Sequence, residues 1–499
     1  MELLFNTVSN ALEIFFFFSY FLFLGIFCRK ILFKNTIRIK DAIELNALGF
    51  FIHFLYLTIA NIFFPINSWL LLIPVLCFLF LYEDFMVLFR QIITRVTLKT
   101  IIEMFIFVLP AILWISNLSL GLLKYESGYY IQKIRWAQQF PLIPGLANLH
   151  PYYGLDSSHF LQLAFFDNII FLDDTFGTFS GYLLFLGYLY FFAIPVFRLL
   201  KYRRAISRSD IMRLFFTPIL IHYCFYSHPG PGTDLPVFIF GSILAVEIFR
   251  KIFEYEENLN FILICICLGF ISKLSFLPTG FLSFIVLVYH FGPRIFLKNK
   301  INKVVFLFMI IGLFLQLHRN AVLTGYPLYP NNIISIPLKW KVKNVEVESL
   351  SRGISDWAVG IRDSYTDPKK IREIKKEWLK TRLFLQHRRV ETLFPIILGL
   401  IGTIYVCFMK LVSIRKVGLF LLPAIGQICM WFFYARDARF ATWAFWWIGA
   451  GLICYLIKDV FSKKLLMTLP ILLLLFSFSL HLIDSLGQKK NISVSFPSY

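Results

Sequence analysis

Charged residues are scarce in this chain, and their scarcity limits the class of protein. Asp, Glu, Lys and Arg make up 16% of the 499 residues, whereas hydrophobic residues make up 58% and Phe alone occurs 60 times. A soluble globular domain carries about 25% charged residues. The mean hydropathy of +0.72 agrees with this contrast. The composition excludes an ordinary soluble domain and predicts an integral membrane protein.

Cysteine motifs and processing signals are also missing. The eight Cys residues include no Cys-x-x-Cys pair, and they lie inside or at the ends of apolar runs. Because such residues are typical small core side chains, we expect neither disulfides nor a structural zinc site. The first apolar run has no basic segment before it and no Ala-x-Ala cleavage site. We therefore interpret it as a retained span and not as a signal peptide.

Acidic residues are few compared with basic ones. The chain has 29 Asp and Glu against 49 Lys and Arg, which gives a net charge of +20. In a soluble protein this excess of basic residues would suggest binding to nucleic acid. Here the basic residues cluster in short connections between apolar runs, where Lys and Arg set topology and contact lipid phosphates. We expect membrane lipids as partners and no nucleic acid.

Long apolar runs make up most of the chain. A transmembrane helix needs about 20 apolar residues, and the chain holds about fourteen such windows. They predict an all-α fold, a polytopic transmembrane helix bundle. The predicted spans are 8–28, 43–63, 67–83, 100–122, 178–200, 211–227, 234–252, 260–275, 276–293, 303–320, 393–410, 417–434, 440–458 and 465–482.

Basic connections assign the two sides of the membrane. Five clusters of Lys and Arg fall on the same side in this count, and the positive-inside rule makes that side cytoplasmic. They lie at 29–40, 198–208, 294–303, 410–416 and 458–464. The connections at 123–177, 227–234, 321–392 and 435–440 are then predicted to lie outside the cytoplasm, together with both termini.

Polar residues gather at these outer ends, most visibly in "LIPGLANLHPYYGLDSSHF" at 142–160. Lys273 interrupts an apolar run, and an ionisable residue inside a span is a functional candidate by default. A carboxylate could deprotonate an acceptor hydroxyl while Lys and Arg stabilise a departing phosphate, which fits group transfer from a lipid-linked phosphate donor. The catalytic candidates are Glu126 and Asp156, and the donor-binding candidates are His150, His228, Asp234, Lys273, Arg319, Arg436 and Arg439.

The outer segment 321–392 contains an amphipathic helix pattern. Asp367 can cap it and Pro368 can take its first position. Ile371, Ile374 and Trp378 keep helical spacing against a face of Lys and Arg, and Leu379 and Leu383 continue the pattern. Such a helix lies along a membrane surface, covers a cleft, or packs on the bundle.

Several runs carry a family resemblance that extends over about 100–445. They resemble a branch of bacterial polytopic membrane proteins that is similar to the GT-C superfamily of membrane glycosyltransferases. The runs are "YESGYYIQKIRWAQQFPLIPGLANLHPYYGLDSSHF" (125–160), "TDLPVFIFGSIL" (233–244), "KLSFLP" (273–278), "GYPLYP" (325–330) and "ARDARF" (435–440).

The resemblance implies a fold, a reaction and a location. GT-C enzymes take a sugar from a polyprenyl-phosphate carrier outside the cytoplasm, and an acidic residue in their first external loop acts as the catalytic base. By this similarity Glu126 takes that place, and 129–140 forms the interfacial helix that follows it. The acceptor would be a cell-surface glycan or lipid. The implied location is the bacterial inner (cytoplasmic) membrane, with the active site facing the periplasm or exterior.

The resemblance also implies a division of the chain. Because the acidic loop follows the fourth span here, residues 1–99 would be an N-terminal addition. The GT-C-like core would be 100–320 with its loop at 123–177. The external segment 321–392, C-terminal helices at 393–482 and a tail at 483–499 would complete the chain.

Two other functions compete with glycosyl transfer. An O-antigen-type polymerase or ligase would use a large late external loop with essential arginines, and 321–392 is such a loop. A lipid or glycan transporter would show inverted repeats and broken helices near mid-membrane, and the sequence shows no convincing repeat. No spacing argues for a metal or other cofactor, although Glu126 and Asp156 together could bind a divalent cation.

Overall fold

Helices are the only regular secondary structure in the part of the chain that the structure, a computed structural model, describes. The described residues are 2–33, 42–80, 82–83, 86, 90, 98–119, 127–169, 172, 175–202, 206–226, 230–298, 300–361, 367–378, 390–409 and 412–492. Within these ranges there are α-helices, short 3₁₀ turns and one π-helical stretch, and no β-strand. The all-α prediction is confirmed.

Twenty α-helices are numbered here in chain order. They are α1 Glu2–Phe33, α2 Ala42–Phe63, α3 Leu72–Phe80, α4 Leu98–Ser119, α5 Ser127–Gln139, α6 Ser158–Phe166, α7 Thr175–Tyr188, α8 Ile194–Tyr202, α9 Arg208–Phe215, α10 Thr217–Tyr226, α11 Asp234–Phe253, α12 Leu259–Ser272, α13 Leu277–Phe291, α14 Lys300–Thr324, α15 Asn344–Val359, α16 Pro368–Trp378, α17 Leu393–Met409, α18 Ile414–Tyr434, α19 Thr442–Val460 and α20 Lys463–Ile492. The π-helical stretch Leu189–Ala193 joins α7 to α8.

Every predicted span coincides with helical structure, but only part of the set is long and apolar enough to cross a membrane. Within the described ranges seven helical segments meet that requirement: Leu4–Ile31, Ala42–Phe63, Thr175–Lys201, Leu274–Phe291, Lys300–Thr324, Ile414–Tyr434 and Thr442–Val460. Other predicted spans are shorter or more polar helices. For example, the window 211–227 is divided between α9 and α10, and α11 carries Asp234, Glu247, Arg250 and Lys251. The count of fourteen spans stays a prediction.

Small residues and aromatic rings pack the bundle. α1 and α2 approach closely at Gly25 and Gly49, where an added Cβ would lie 1.8 Å from a backbone oxygen of the other helix. Small residues allow such close contacts between membrane helices. Phe17 packs against Phe179 with ring centroids 5.3 Å apart. α11 runs through this core with most of its residues buried.

The bundle has two polar ends, and α11 connects them. Its first residue, Asp234, lies at one end, while Glu247 pairs with Arg213 and Arg250 at the other. Asp234 and Glu247 are about 20 Å apart along the helix, at 1.5 Å per residue. Arg208 and Asp459, 2.9 Å apart, join two of the basic connections at the Glu247 end. Asp234 therefore lies at the end of α11 opposite this pair.

Among the described residues, segment 321–392 contains the helices α15 and α16, which lie beside the Asp234 end. α16 begins at Pro368 as predicted, and the Asp367 carboxylate accepts a hydrogen bond from the Lys369 N–H at 2.9 Å. Its apolar side packs on the bundle through Trp378, whose ring lies 5.7 Å from that of Trp431. Leu379 and Leu383 lie outside the described residues. α15 had no counterpart among the sequence-based predictions.

Candidate functional site

Asp156 is the centre of a buried ion cluster formed with Lys133 and Arg319, called here the Asp156 group. The Arg319 Nε donates to Asp156 Oδ2 at 2.8 Å, and the Lys133 Nζ lies 3.4 Å from Oδ1. Lys133 comes from α5, Asp156 from the turn before α6, and Arg319 from the last two turns of α14. All three side chains are at most 5% exposed. The group therefore ties the first external loop to the end of α14.

Electrostatics keep the Asp156 group charged. Burial by itself raises the pKa of Asp156, but Arg319 and Lys133 outweigh burial and hold this pKa at about 2. Burial lowers the pKa of Lys133 to about 8, and Asp156 opposes that decrease. Two positive charges thus face one carboxylate. A carboxylate with so low a pKa is a weak proton acceptor at neutral pH.

Neutral polar groups complete the coordination of these charges. Arg319 Nη1 donates to the Asn61 Oδ1 at 2.9 Å, and the Gln316 amide donates to Asp156 Oδ2 at 3.3 Å. Lys133 also donates to the Leu155 carbonyl at 2.6 Å. Beside them lies a cavity of about 30 Å³ whose lining includes the apolar residues 141–143. It has room for a water molecule and not for a sugar ring.

The Asp156 group predicts an acid dependence of stability. Its carboxylate has a lower pKa in the folded chain than the ordinary 3.8, so its contribution is fully present above about pH 4 and is lost as pH falls through 2. We expect the free energy of unfolding of wild type, relative to an Asp156→Asn variant, to fall by about 2 kcal/mol between pH 5 and pH 2. Unfolding curves of both proteins in detergent measure this difference. A difference that stays constant with pH contradicts the assignment.

Asp234, Lys273 and Arg439 form a second and more open cluster, called here the Asp234 group. The Lys273 ammonium pairs with Asp234 Oδ1, and Arg439 Nη1 lies 3.7 Å from Oδ2. The side chains of the three residues are 18%, 24% and 25% exposed, respectively. Solvent therefore reaches these charges, in contrast to the Asp156 group.

Helix ends bring the Asp234 group together. Asp234 begins α11, where a carboxylate is favoured by the helix dipole. Lys273 follows the last residue of α12 in an extended conformation and precedes a 3₁₀ turn. The chain therefore leaves the helix at Lys273, which lies at the end of an apolar run and not in its middle. Its ammonium also lies 4.1 Å from the centroid of the Phe440 ring.

Arg439 is positioned from two sides. The Asp437 carboxylate accepts from its backbone N–H at 3.1 Å and from its Nε at 3.3 Å. On the other side, the guanidinium lies 4.9 Å from the centroid of the Trp357 ring on α15. The external segment 321–392 therefore covers part of the Asp234 group. Trp357 remains 41% exposed.

The two groups are neighbours. Ser157, next to Asp156, donates its hydroxyl to the Ser272 carbonyl at 2.6 Å, and Ser272 precedes Lys273. This hydrogen bond joins the residue after Asp156 to the residue before Lys273. It therefore connects the buried Asp156 group to the more exposed Asp234 group. Four of the predicted site residues thus lie in two neighbouring groups, Asp156 with Arg319 and Asp234 with Lys273, and Arg439 belongs to the second group.

The remaining predicted site residues lie apart from both groups or outside the described residues. His150 is exposed and contacts the rings of Tyr152 and Tyr153. Arg436 donates to the Phe432 carbonyl at 2.7 Å and stacks on the ring of Trp378. Glu126 and His228 lie outside the described residues.

Sequence reasoning missed the partners of the predicted charges. Lys133, Asn61 and Gln316 surround Asp156 and Arg319, and Asp437 and Trp357 hold Arg439. The sequence did indicate Asn61 and Gln316 as candidates, because each is a polar residue inside a predicted span. Lys133 lies in the run that carries the resemblance. In the described part of the chain no three His, Cys, Asp or Glu side chains are arranged to hold a metal ion.

A single family accounts for most of the chain. The chain belongs to the family described as Domain of unknown function (DUF8201), whose model matches residues 8–446. Both polar groups lie inside the matched range, whereas α20 lies beyond it. No curated protein and no solved structure matches the chain.

Proposed function

We propose that this DUF8201 protein is a membrane glycosyltransferase similar to GT-C enzymes. It transfers a sugar from a polyprenyl-phosphate donor to a cell-surface glycan or lipid, on the extracytoplasmic side of the bacterial inner membrane. The observation that carries the proposal is the open Asp234 group beside the buried Asp156 group, at the end of the bundle opposite the basic connections. The topology proposed with it has fourteen spans and both termini outside.

The open group suits a lipid-borne phosphate. Lys273 and Arg439 are partly exposed cations at the ends of apolar helices, the depth at which a polyprenyl carrier would hold its phosphate. In the free protein Asp234 pairs with both cations. A donor phosphate would form charge-assisted hydrogen bonds with the same two side chains. They would then stabilise the negative charge that develops on the phosphate as the sugar departs.

The proposed reaction needs one proton acceptor. The acceptor hydroxyl oxygen attacks the anomeric carbon, the bond from that carbon to the phosphate oxygen breaks, and the bonding electrons leave with the phosphate. The hydroxyl proton passes to a carboxylate. We assign this base to Glu126, because the two cations beside Asp156 make it a weak base. Asp156 then serves to position the loop that carries Glu126 and Lys133.

A transfer assay tests the proposal. The purified protein in lipid, supplied with a polyprenyl-phosphate sugar and membrane acceptor, is expected to form a glycosylated product. Glu126→Gln is expected to lower the rate by about 10² to 10⁴, the usual contribution of a general base. Asp156→Asn is expected to lower thermal stability as well as rate. If Glu126→Gln keeps full activity, Glu126 is not the base, and if Asp156→Asn keeps full activity as well, the whole assigned mechanism is wrong.

An O-antigen-type polymerase or ligase is the second candidate. The contact between Trp357 and Arg439 supports it, because such enzymes use a late external loop with essential arginines. Arg439 is a cleaner test than Arg319, whose buried ion pair couples any substitution to folding. Because both candidates use Arg439, the response of Glu126 is what discriminates between them. Loss of activity in Arg439→Gln together with full activity in Glu126→Gln would favour the polymerase or ligase.

A further inference from the structure

Residues 331–343, called here the 331–343 loop, expose apolar side chains that the fold leaves uncovered. Ile333 is 77% exposed, Ile334 is 51% exposed and Ile336 is 37% exposed. Val345, on the first turn of α15, is 76% exposed. Single exposed apolar residues are common on protein surfaces, but a contiguous group marks an interaction surface.

The loop is held in place by hydrogen bonds. The Ile336 N–H donates to the Gly325 carbonyl at 2.9 Å, and the Val342 N–H donates to the Thr324 carbonyl at 2.9 Å. The Asn148 amide donates to the Trp340 carbonyl at 2.7 Å. These bonds anchor the loop to the first external loop and to the end of α14. The exposed Ile side chains therefore project from a fixed backbone.

The anchoring also sets the level of the loop along α14. Trp340 donates its indole N–H to the carbonyl of Val322, two residues before α14 ends at Thr324. α14 is one of the helices long and apolar enough to cross a membrane. The loop thus lies where such a helix reaches the lipid head groups. Trp is enriched at this depth because its ring is apolar and its N–H is polar.

Charge complements the apolar surface. The sequence "NNIISIPLKWKVK" contains three Lys and no acidic residue. Lys339 and Lys343 are exposed, whereas Lys341 lies 5.3 Å from the centroid of the Tyr326 ring. Lys side chains beside apolar residues bind phosphates of anionic lipids while their neighbours enter the acyl region.

We propose that the 331–343 loop docks onto anionic phospholipid of the surrounding membrane. Ile333 and Ile334 insert between acyl chains, and Lys339 and Lys343 contact lipid phosphates. This docking fixes the external segment against the bilayer. It is independent of the reaction that the protein catalyses.

Photo-cross-linking tests the docking. The full-length protein carries the photo-cross-linker p-benzoylphenylalanine in place of Ile334 and is reconstituted in nanodiscs. The nanodiscs contain equal parts of phosphatidylglycerol and phosphatidylcholine, and in each experiment only one of these two lipids is tritiated. The matched control places the same group at Ser351, an exposed position on α15 that does not share a helix face with Val345. We expect labelled lipid on the protein with the group at 334 and background label at 351. Equal label at both positions, or cross-linking of 334 to a second copy of the chain, overturns the proposal.

A second measurement tests the lysines. In the protein with the cross-linker at 334, the double change Lys339→Gln and Lys343→Gln is expected to lower the preference for phosphatidylglycerol over phosphatidylcholine by on the order of tenfold, since each Lys near a membrane surface attracts anionic lipid. An unchanged preference overturns the role of the lysines. Size-exclusion elution identical to wild type verifies that each variant is folded.

Discussion

Replacing Lys273 by Gln is expected to lower the rate of sugar transfer by about a hundredfold to a thousandfold. This is the usual effect of removing one group that stabilises developing negative charge. Lys273 is the cation of the Asp234 group that pairs directly with the carboxylate, and its amino group is accessible at the end of α12. Gln keeps a polar side chain of similar length and removes the charge. The measurement is the single-turnover rate with a polyprenyl-phosphate sugar.

Two further variants separate charge at this site from charge in general. Lys273→Arg keeps the positive charge and is expected to retain more activity than Lys273→Gln. Lys298→Gln removes an exposed Lys at the opposite end of the bundle and is expected to match wild type. Because Lys273 is partly exposed, we expect its loss to change the unfolding temperature little. A wild-type rate in Lys273→Gln would remove the Asp234 group from the proposed reaction.

Replacing Arg319 by Met is expected to destabilise the protein by about 3–5 kcal/mol. Removing one member of a buried ion cluster is costly, and here it leaves Asp156 with Lys133 alone, whose Nζ lies 3.4 Å from Oδ1. Arg319 is the closest cation to Asp156 and also donates to Asn61 at the end of α2. Its loss therefore loosens α2, α14 and the first external loop together. Denaturant or thermal unfolding in detergent measures the effect.

An exposed ion pair in the same loop provides the matched control. Arg135 and Asp167 are 2.9 Å apart, and the Arg135 side chain is 53% exposed. Arg135→Met is expected to cost less than about 1 kcal/mol, as surface ion pairs usually do. Adding Asp156→Asn to Arg319→Met is expected to lower the stability further, because Lys133 is then left buried without a counter-charge. Equal costs for Arg319→Met and Arg135→Met would contradict the structural role of the Asp156 group.

Local sequence patterns predicted the helical elements well. Apolar runs and their polar borders located the helices, since a long apolar segment satisfies its backbone hydrogen bonds internally as a helix. Asp367 and Pro368 predicted the start of α16, because capping depends on adjacent residues. The alternation of basic connections placed Asp234, Lys273 and Arg319 at the same end of the bundle.

Pairing between distant helices could not be predicted in this way. An apolar window shows where a helix forms, but it does not show which neighbour each face meets. Lys133 and Arg319, nearly two hundred residues apart, meet at Asp156 through the packing of α5 and α14 around the first external loop. The sequence likewise could not show that Asp156 is enclosed and Asp234 is partly exposed. Burial separates them, because it encloses the first carboxylate and leaves the second partly open.

The sequence by itself determined that this chain is a bundle of apolar helices, and it predicted that the acidic and basic candidates lie at one end. Composition and the period of the helix are local properties, so they can be read along the chain. Only the tertiary structure decided that five of these candidates fall into two groups, one buried and one partly exposed. Exposure and ion pairing depend on contacts between segments that are distant in sequence, and those contacts exist only once the helices have packed.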